Sequence, residues 1–140
     1  MSMELQNMTV GMALPEIERV ITQEDINLYA EVSGDFNPIH VDVEFARKTP
    51  LGGTIAHGML TLAFVSQMMT LAFGQRWLSG GKLGIRFKSP ARPGDTLHIT
   101  GTVRKINRSD EGTTISCDVL CSNQKSEPVI TGEAQVKVRQ

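Results

Sequence analysis

The chain has 140 residues, with 14 lysines and arginines against 15 aspartates and glutamates, for a net charge of −1. That length suits a single domain, expected over residues 1–140, with a real buried core. The balanced charge, with no basic stripe or polyanionic tail, argues against nucleic acid or an anionic membrane as partner.

The opening segment MSMELQNMTVGMALPEIERV has no basic stretch followed by an apolar run and does not read as a signal peptide. Glu16–Ile21 reads as a short strand. Thr22 then places a hydroxyl three residues before Asp25, a variant of the capping box, with Ile21 and Ile26 placed to form a hydrophobic staple. A helix is expected over residues 23–33, ended by Gly34. Asp42 is positioned to cap a second helix over Val43–Lys48, which Thr49-Pro50 stops because the residue before proline disfavours the helical region. The stretch between Gly34 and Ala56 is otherwise expected to be turn and loop.

A long apolar helix is expected from about His57 to Phe73, with Gly74 as its stop. The fifteen residues from Met59 span only about 22 Å against a hydrocarbon core of about 30 Å, so the helix reads as buried rather than membrane-spanning. Beyond it the apolar period changes to two. Leu83, Ile85 and Phe87 line one strand, and Leu97, Ile99 and Val103 a second. Ile115, Cys117, Val119 and Cys121 line a third; Ile130, Ala134, Val136 and Val138 line a fourth. Turns are expected from Ser89 to Asp95, Asn107 to Gly112 and Ser122 to Pro128. Strands joined by short turns imply an antiparallel sheet, and only the 57–73 helix is apolar enough to be wrapped by it, giving an α+β domain. The two cysteines point to one face at a spacing poorly suited to bridging, as in a reduced, cytoplasmic chain.

The chemistry-bearing residues are few. His40, His57 and His98 lie 17 and 41 residues apart with no paired metal-ligand spacing, so no metal site is expected. There is no phosphate-binding glycine loop and no nucleophilic serine turn. What remains is Asp35 with His40 in SGDFNPIH, where Asn37-Pro38 stiffens the backbone in a non-helical turn. A carboxylate beside an imidazole is able to hold one water and move its protons. The same residues equally suit a structural role, with Asp35 capping a turn and His40 packing under the sheet.

The stretch YAEVSGDFNPIH ending at His40, with Ala46 beyond it and IAHGM over Ile55–Met59, resembles the MaoC-like, (R)-specific enoyl-CoA hydratases, also called hydratase 2. The resemblance covers nearly the whole chain and implies their hotdog fold, an antiparallel sheet wrapped around a central helix. It further implies that Asp35 and His40 are the catalytic pair, holding the water that adds across a trans-2-enoyl thioester or leaves from the (R)-3-hydroxyacyl product. The backbone N–H of Gly58, at the start of the buried helix, is the implied oxyanion donor, because N–H groups there lack helical partners and the dipole is positive.

Asn37 is read as fixing the loop and His57 as a buried anchor of the helix start. Asn37, Pro38, His57, Met59, Leu60, Ala63 and Phe64 are the candidates for substrate contact, with Met68 further along the helix. Arg86, Lys88 and Arg92 are candidates for the phosphates of coenzyme A. The resemblance implies an acyl-CoA thioester as partner, no cofactor beyond the substrate's own coenzyme A, and a homodimer or dimer of dimers whose sheets pair edge to edge. Three alternatives stand beside a short-chain enoyl-CoA hydratase: a 3-hydroxyacyl dehydratase acting on acyl carrier protein, a non-catalytic acyl-CoA-binding hotdog protein, and a thioesterase.

Overall fold

The computed structural model describes residues 3–139. After a 3-10 turn at Leu5–Asn7 come β1 (Ile17–Val20), α1 (Gln23–Ser33), α2 (Pro38–Val41), α3 (Val43–Arg47), α4 (Gly58–Phe73) and α5 (Gln75–Gly80). Four strands follow: β2 (Gly81–Phe87), β3 (Thr96–Ser109), β4 (Gly112–Ser122) and β5 (Pro128–Arg139). Thr22 starts α1 as its sequence predicts, its hydroxyl accepting from the Asp25 N–H at 3.0 Å. Ile21 and Ile26 on either side of the cap are both buried, as a hydrophobic staple requires. Gly34 closes the helix at φ 79°, a left-handed conformation that a residue without a side chain adopts readily.

Two short helices differ from the sequence reading. The string Asn37-Pro38 reads as a non-helical turn, yet Asn37 caps α2, its Oδ1 accepting from the Ile39 N–H at 3.1 Å. Pro38 occupies the first helical turn, where its missing N–H has no partner to lose. Gly74 does end α4, but the chain bends there and runs directly into α5. Trp77 anchors that helix from a buried position, its indole N–H donating to Ser66 Oγ at 3.0 Å. A tertiary contact of this kind leaves no periodic trace in six residues.

The five strands form one antiparallel sheet in the order β1-β3-β4-β5-β2. Only β3, β4 and β5 follow one another as hairpins; β1 and β2 lie at opposite edges. Strands β3 and β4 also run further than their apolar alternation suggests. Ile106 pairs with Ile115 and Ser109 with Gly112, so the turn shrinks to Asp110-Glu111.

Leu97, Ile99, Val103, Ile115, Val119, Ile130 and Val136 line the buried face of the sheet, and Val65, Met68, Met69, Ala72 and Phe73 of α4 are buried in the same core. Each large apolar side chain so buried contributes about 1.5–3 kcal/mol. The sheet wraps α4 as the sequence predicts, and Met59, 59% exposed, and Leu71, 38%, lie on the side of the helix that it leaves uncovered. Cys117 and Cys121 are buried and unbridged in the same core. Burial, aided at Cys117 by the neighbouring Asp118 carboxylate, pushes their thiols up to about 11 and about 12 respectively. Among the described residues no helix is long and apolar enough to cross a membrane.

Candidate active site

The segment joining α1 to α4 is fixed by hydrogen bonds that reach far along the chain. Asp35 N–H donates to Ser33 Oγ at 3.1 Å, and Asp35 Oδ1 accepts from the Asn37 N–H at 3.2 Å, which sets the turn. Gln23, at the start of α1, donates to the His40 carbonyl at 2.8 Å and accepts from the buried Thr54 hydroxyl at 2.6 Å. The Ile55 N–H donates to Ile39 O at 3.2 Å. His40 is thus held from both sides by backbone and by an amide that no local pattern announces.

These restraints aim the two side chains at each other. His40 Nδ1–H donates to the Ile55 carbonyl at 2.8 Å, which leaves Nε2 as the ring's free lone pair. That atom lies 4.0 Å from Asp35 Oδ2. The Asp35 side chain is 53% exposed and that of His40 only 12%, so the gap between them opens to solvent on the aspartate side. The spacing is too long for a direct hydrogen bond and accepts one oxygen within reach of both.

His57 lies beneath the pair. Only 2% exposed, it donates from Nε2 to the Asp35 carbonyl at 2.9 Å and stacks on the His40 ring with centroids 3.9 Å apart. Tyr29 tilts against its ring at 4.8 Å. His57 also precedes the first residue of α4, and its carbonyl accepts from Leu60 and Thr61. The N–H groups of Gly58 and Met59 then have no acceptor among the described residues, as the first turn of a helix dictates. Gly58, next in the chain to His57, thereby offers an unpaired donor.

Ligand atoms of Asp35, His40 and His57 lie within 4.8 Å of one another. A metal must sit near the plane of each imidazole that ligates it, about 2.0–2.1 Å from the nitrogen. Two rings stacked 3.9 Å apart and only 25° from parallel do not meet that condition for one ion. The cluster suits proton transfer rather than metal binding.

A cleft of ≈ 330 Å³ lies beside Gly58, walled by Leu51, Ile55, Thr61, Phe87, Pro90 and Val129 and edged by Lys88. Phe87 belongs to no sequence motif of the site and reaches it from β2. Its ring covers Gly58 so closely that a Cβ added there would lie 2.9 Å from Cε1. Of the sequence candidates, Asp35, Asn37, His40 and His57 come together, with Gly58 next to His57 in the chain; only Gly58 among the candidates for catalysis or substrate contact lines the cleft, and Met59, Leu60, Ala63 and Phe64 do not. Pro38 is exposed at the start of α2, and Met68 is buried in the core. Among the three cations only Lys88 borders the cleft; Arg86 lies in a larger concavity of ≈ 740 Å³ that holds none of the catalytic candidates.

The chain is 33% identical over 126 residues to the 3-hydroxybutyryl-CoA dehydratase of Methylorubrum extorquens, covering 87% of this chain and 76% of that protein. It is 34% identical over 128 residues to the (R)-specific enoyl-CoA hydratase of Rhodospirillum rubrum, covering 87% and 83%. The solved structure of the unliganded R-hydratase PhaJ1 from Pseudomonas aeruginosa superposes with a TM-score of 0.81 at 28% identity, over 96% of this chain and 84% of that one. The shared architecture is the hotdog fold. Residues 6–123 match the MaoC like domain, and the chain belongs to that family.

Proposed function

We propose that the protein is an (R)-specific enoyl-CoA hydratase, a hydro-lyase that reversibly adds water to a short-chain trans-2-enoyl-CoA. The observation that carries the reading is the 4.0 Å gap between Asp35 Oδ2 and His40 Nε2, together with the unpaired N–H of Gly58, one residue after the His57 that stacks on His40. In this reading one water sits between the pair. Its oxygen bonds to C3 as the pair takes up a proton and a proton is delivered to C2, so the net addition is H and OH across the double bond. The thioester oxygen carries the charge in between, and the Gly58 N–H donates to it at the positive end of α4. The chemistry needs no cofactor.

An assembly of at least two copies fits the uncovered side of α4, where Met59 and Leu71 are exposed, and the unpaired outer edge of β2. Two unbridged, buried cysteines agree with a reducing, cytoplasmic setting. The reading is tested with crotonyl-CoA, following enoyl thioester absorbance and free thiol together. We expect absorbance to fall with no thiol released. Thiol release identifies a thioesterase instead, and tight binding without turnover identifies a binding protein.

A further inference from the structure

His57 contacts both Asp35 and His40 and directly precedes Gly58. Its Nε2–H fixes the main chain of Asp35, its ring forms the surface on which His40 stacks, and its backbone begins the helix that presents Gly58. It is also the one described side chain with a buried polar atom left unpaired, at Nδ1. A buried acceptor without a donor is destabilising, and such groups in a native fold call for an explanation. A phenylalanine there would keep a flat ring and remove the orphan, but would leave the Asp35 carbonyl without the donor that His57 supplies.

We propose that His57 is a positioning residue for the hydration reaction: as the Nε2–H tautomer it locks the Asp35 backbone and braces the His40 ring, without itself exchanging a proton with substrate. The two rings then carry opposite tautomers. His40 is protonated on Nδ1, toward Ile55, and His57 on Nε2, toward Asp35. Each is held by a carbonyl 15 or 22 residues away in sequence, so the stack is set by the fold and not by either loop alone. The free lone pair of His40 faces Asp35, while that of His57 is buried without a partner.

The kinetic half of this inference rests on the hydratase reading; the tautomers do not. The chain has three histidines, and the third, His98, is exposed, so long-range ¹H–¹⁵N spectra of the wild-type protein near neutral pH resolve each ring. We expect His57 on Nε2–H and His40 on Nδ1–H. The reverse tautomer at His57 overturns the inference whether or not the protein has hydratase activity. His57→Phe keeps the flat ring and loses the donor; His57→Gln keeps a donor and loses the ring. Both should lower kcat about 10–100-fold while KM changes less than about threefold, the signature of misplaced catalytic groups. Unchanged kcat in folded variants, or a raised KM at constant kcat, removes the positioning role.

Discussion

Asp35 Oδ2 and His40 Nε2 face each other across 4.0 Å, with the imidazole's other nitrogen committed to the Ile55 carbonyl. Neither group completes a water-holding site alone. Asp35→Asn and His40→Gln should each lower kcat by at least about 100-fold, the lower end of what positioned acid–base groups contribute. Because the two act on one water, the double variant should fall little below the worse single variant. Initial rates on crotonyl-CoA check this, and full additivity would assign the residues to independent steps.

Thr54 acts at one remove. Its hydroxyl donates to Gln23 Oε1, whose amide in turn holds the His40 carbonyl. Thr54→Val removes that donor in a buried position and should cost about 1–3 kcal/mol. The expected drop in Tm is roughly 2–4 °C per kcal/mol for a chain near this size. A calorimetric scan beside kcat should show both values falling, and an unchanged kcat would detach this network from the placement of His40.

Gly58 is sterically committed, since the Phe87 ring lies where a side chain would go. Gly58→Val should reduce activity about 100-fold or more by keeping the thioester from the N–H, comparable to losing an oxyanion donor, while circular dichroism shows a retained fold. Adding Phe87→Leu to Gly58→Ala should recover part of the lost rate. A fully active Gly58→Val variant would remove this N–H from the chemistry.

Cys117 and Cys121 should resist a chromogenic thiol reagent at pH 8 in the native protein and both react in denaturant, since burial holds their thiols at about 11 and about 12. These groups keep their protons in the folded state while the unfolded chain loses them near 9.0. Their contribution to stability is therefore fully present below about pH 9 and lost as pH rises through the folded values. Tm should fall over that window, and less steeply in Cys121→Val.

Much of this was legible because it is local. Thr22 and Asp25, three residues apart, declare the start of α1, and strict alternation declares β3 to β5. Asp35 and His40 stand out because their turn chemistry fits within one short stretch. Local pattern cannot report pairings made by the fold: Gln23 with Thr54 across 31 residues, Asp35 with His57 across 22, or Phe87 over Gly58. The same holds for α5, which depends on Trp77 reaching Ser66. The substrate candidates Met59, Leu60, Ala63 and Phe64 follow from the family resemblance, whereas the cleft beside Gly58 opens toward Leu51, Phe87 and Val129, contributed by three separate segments.

The fate of the oxygen of water distinguishes hydration from hydrolysis most directly. Crotonyl-CoA turned over in ¹⁸O-labelled water should give 3-hydroxybutyryl-CoA with the label in its 3-hydroxyl group, none at the thioester carbonyl and no free thiol. Label in a carboxylate with release of coenzyme A would contradict it, because the water between Asp35 and His40 would then be reaching C1 instead of C3.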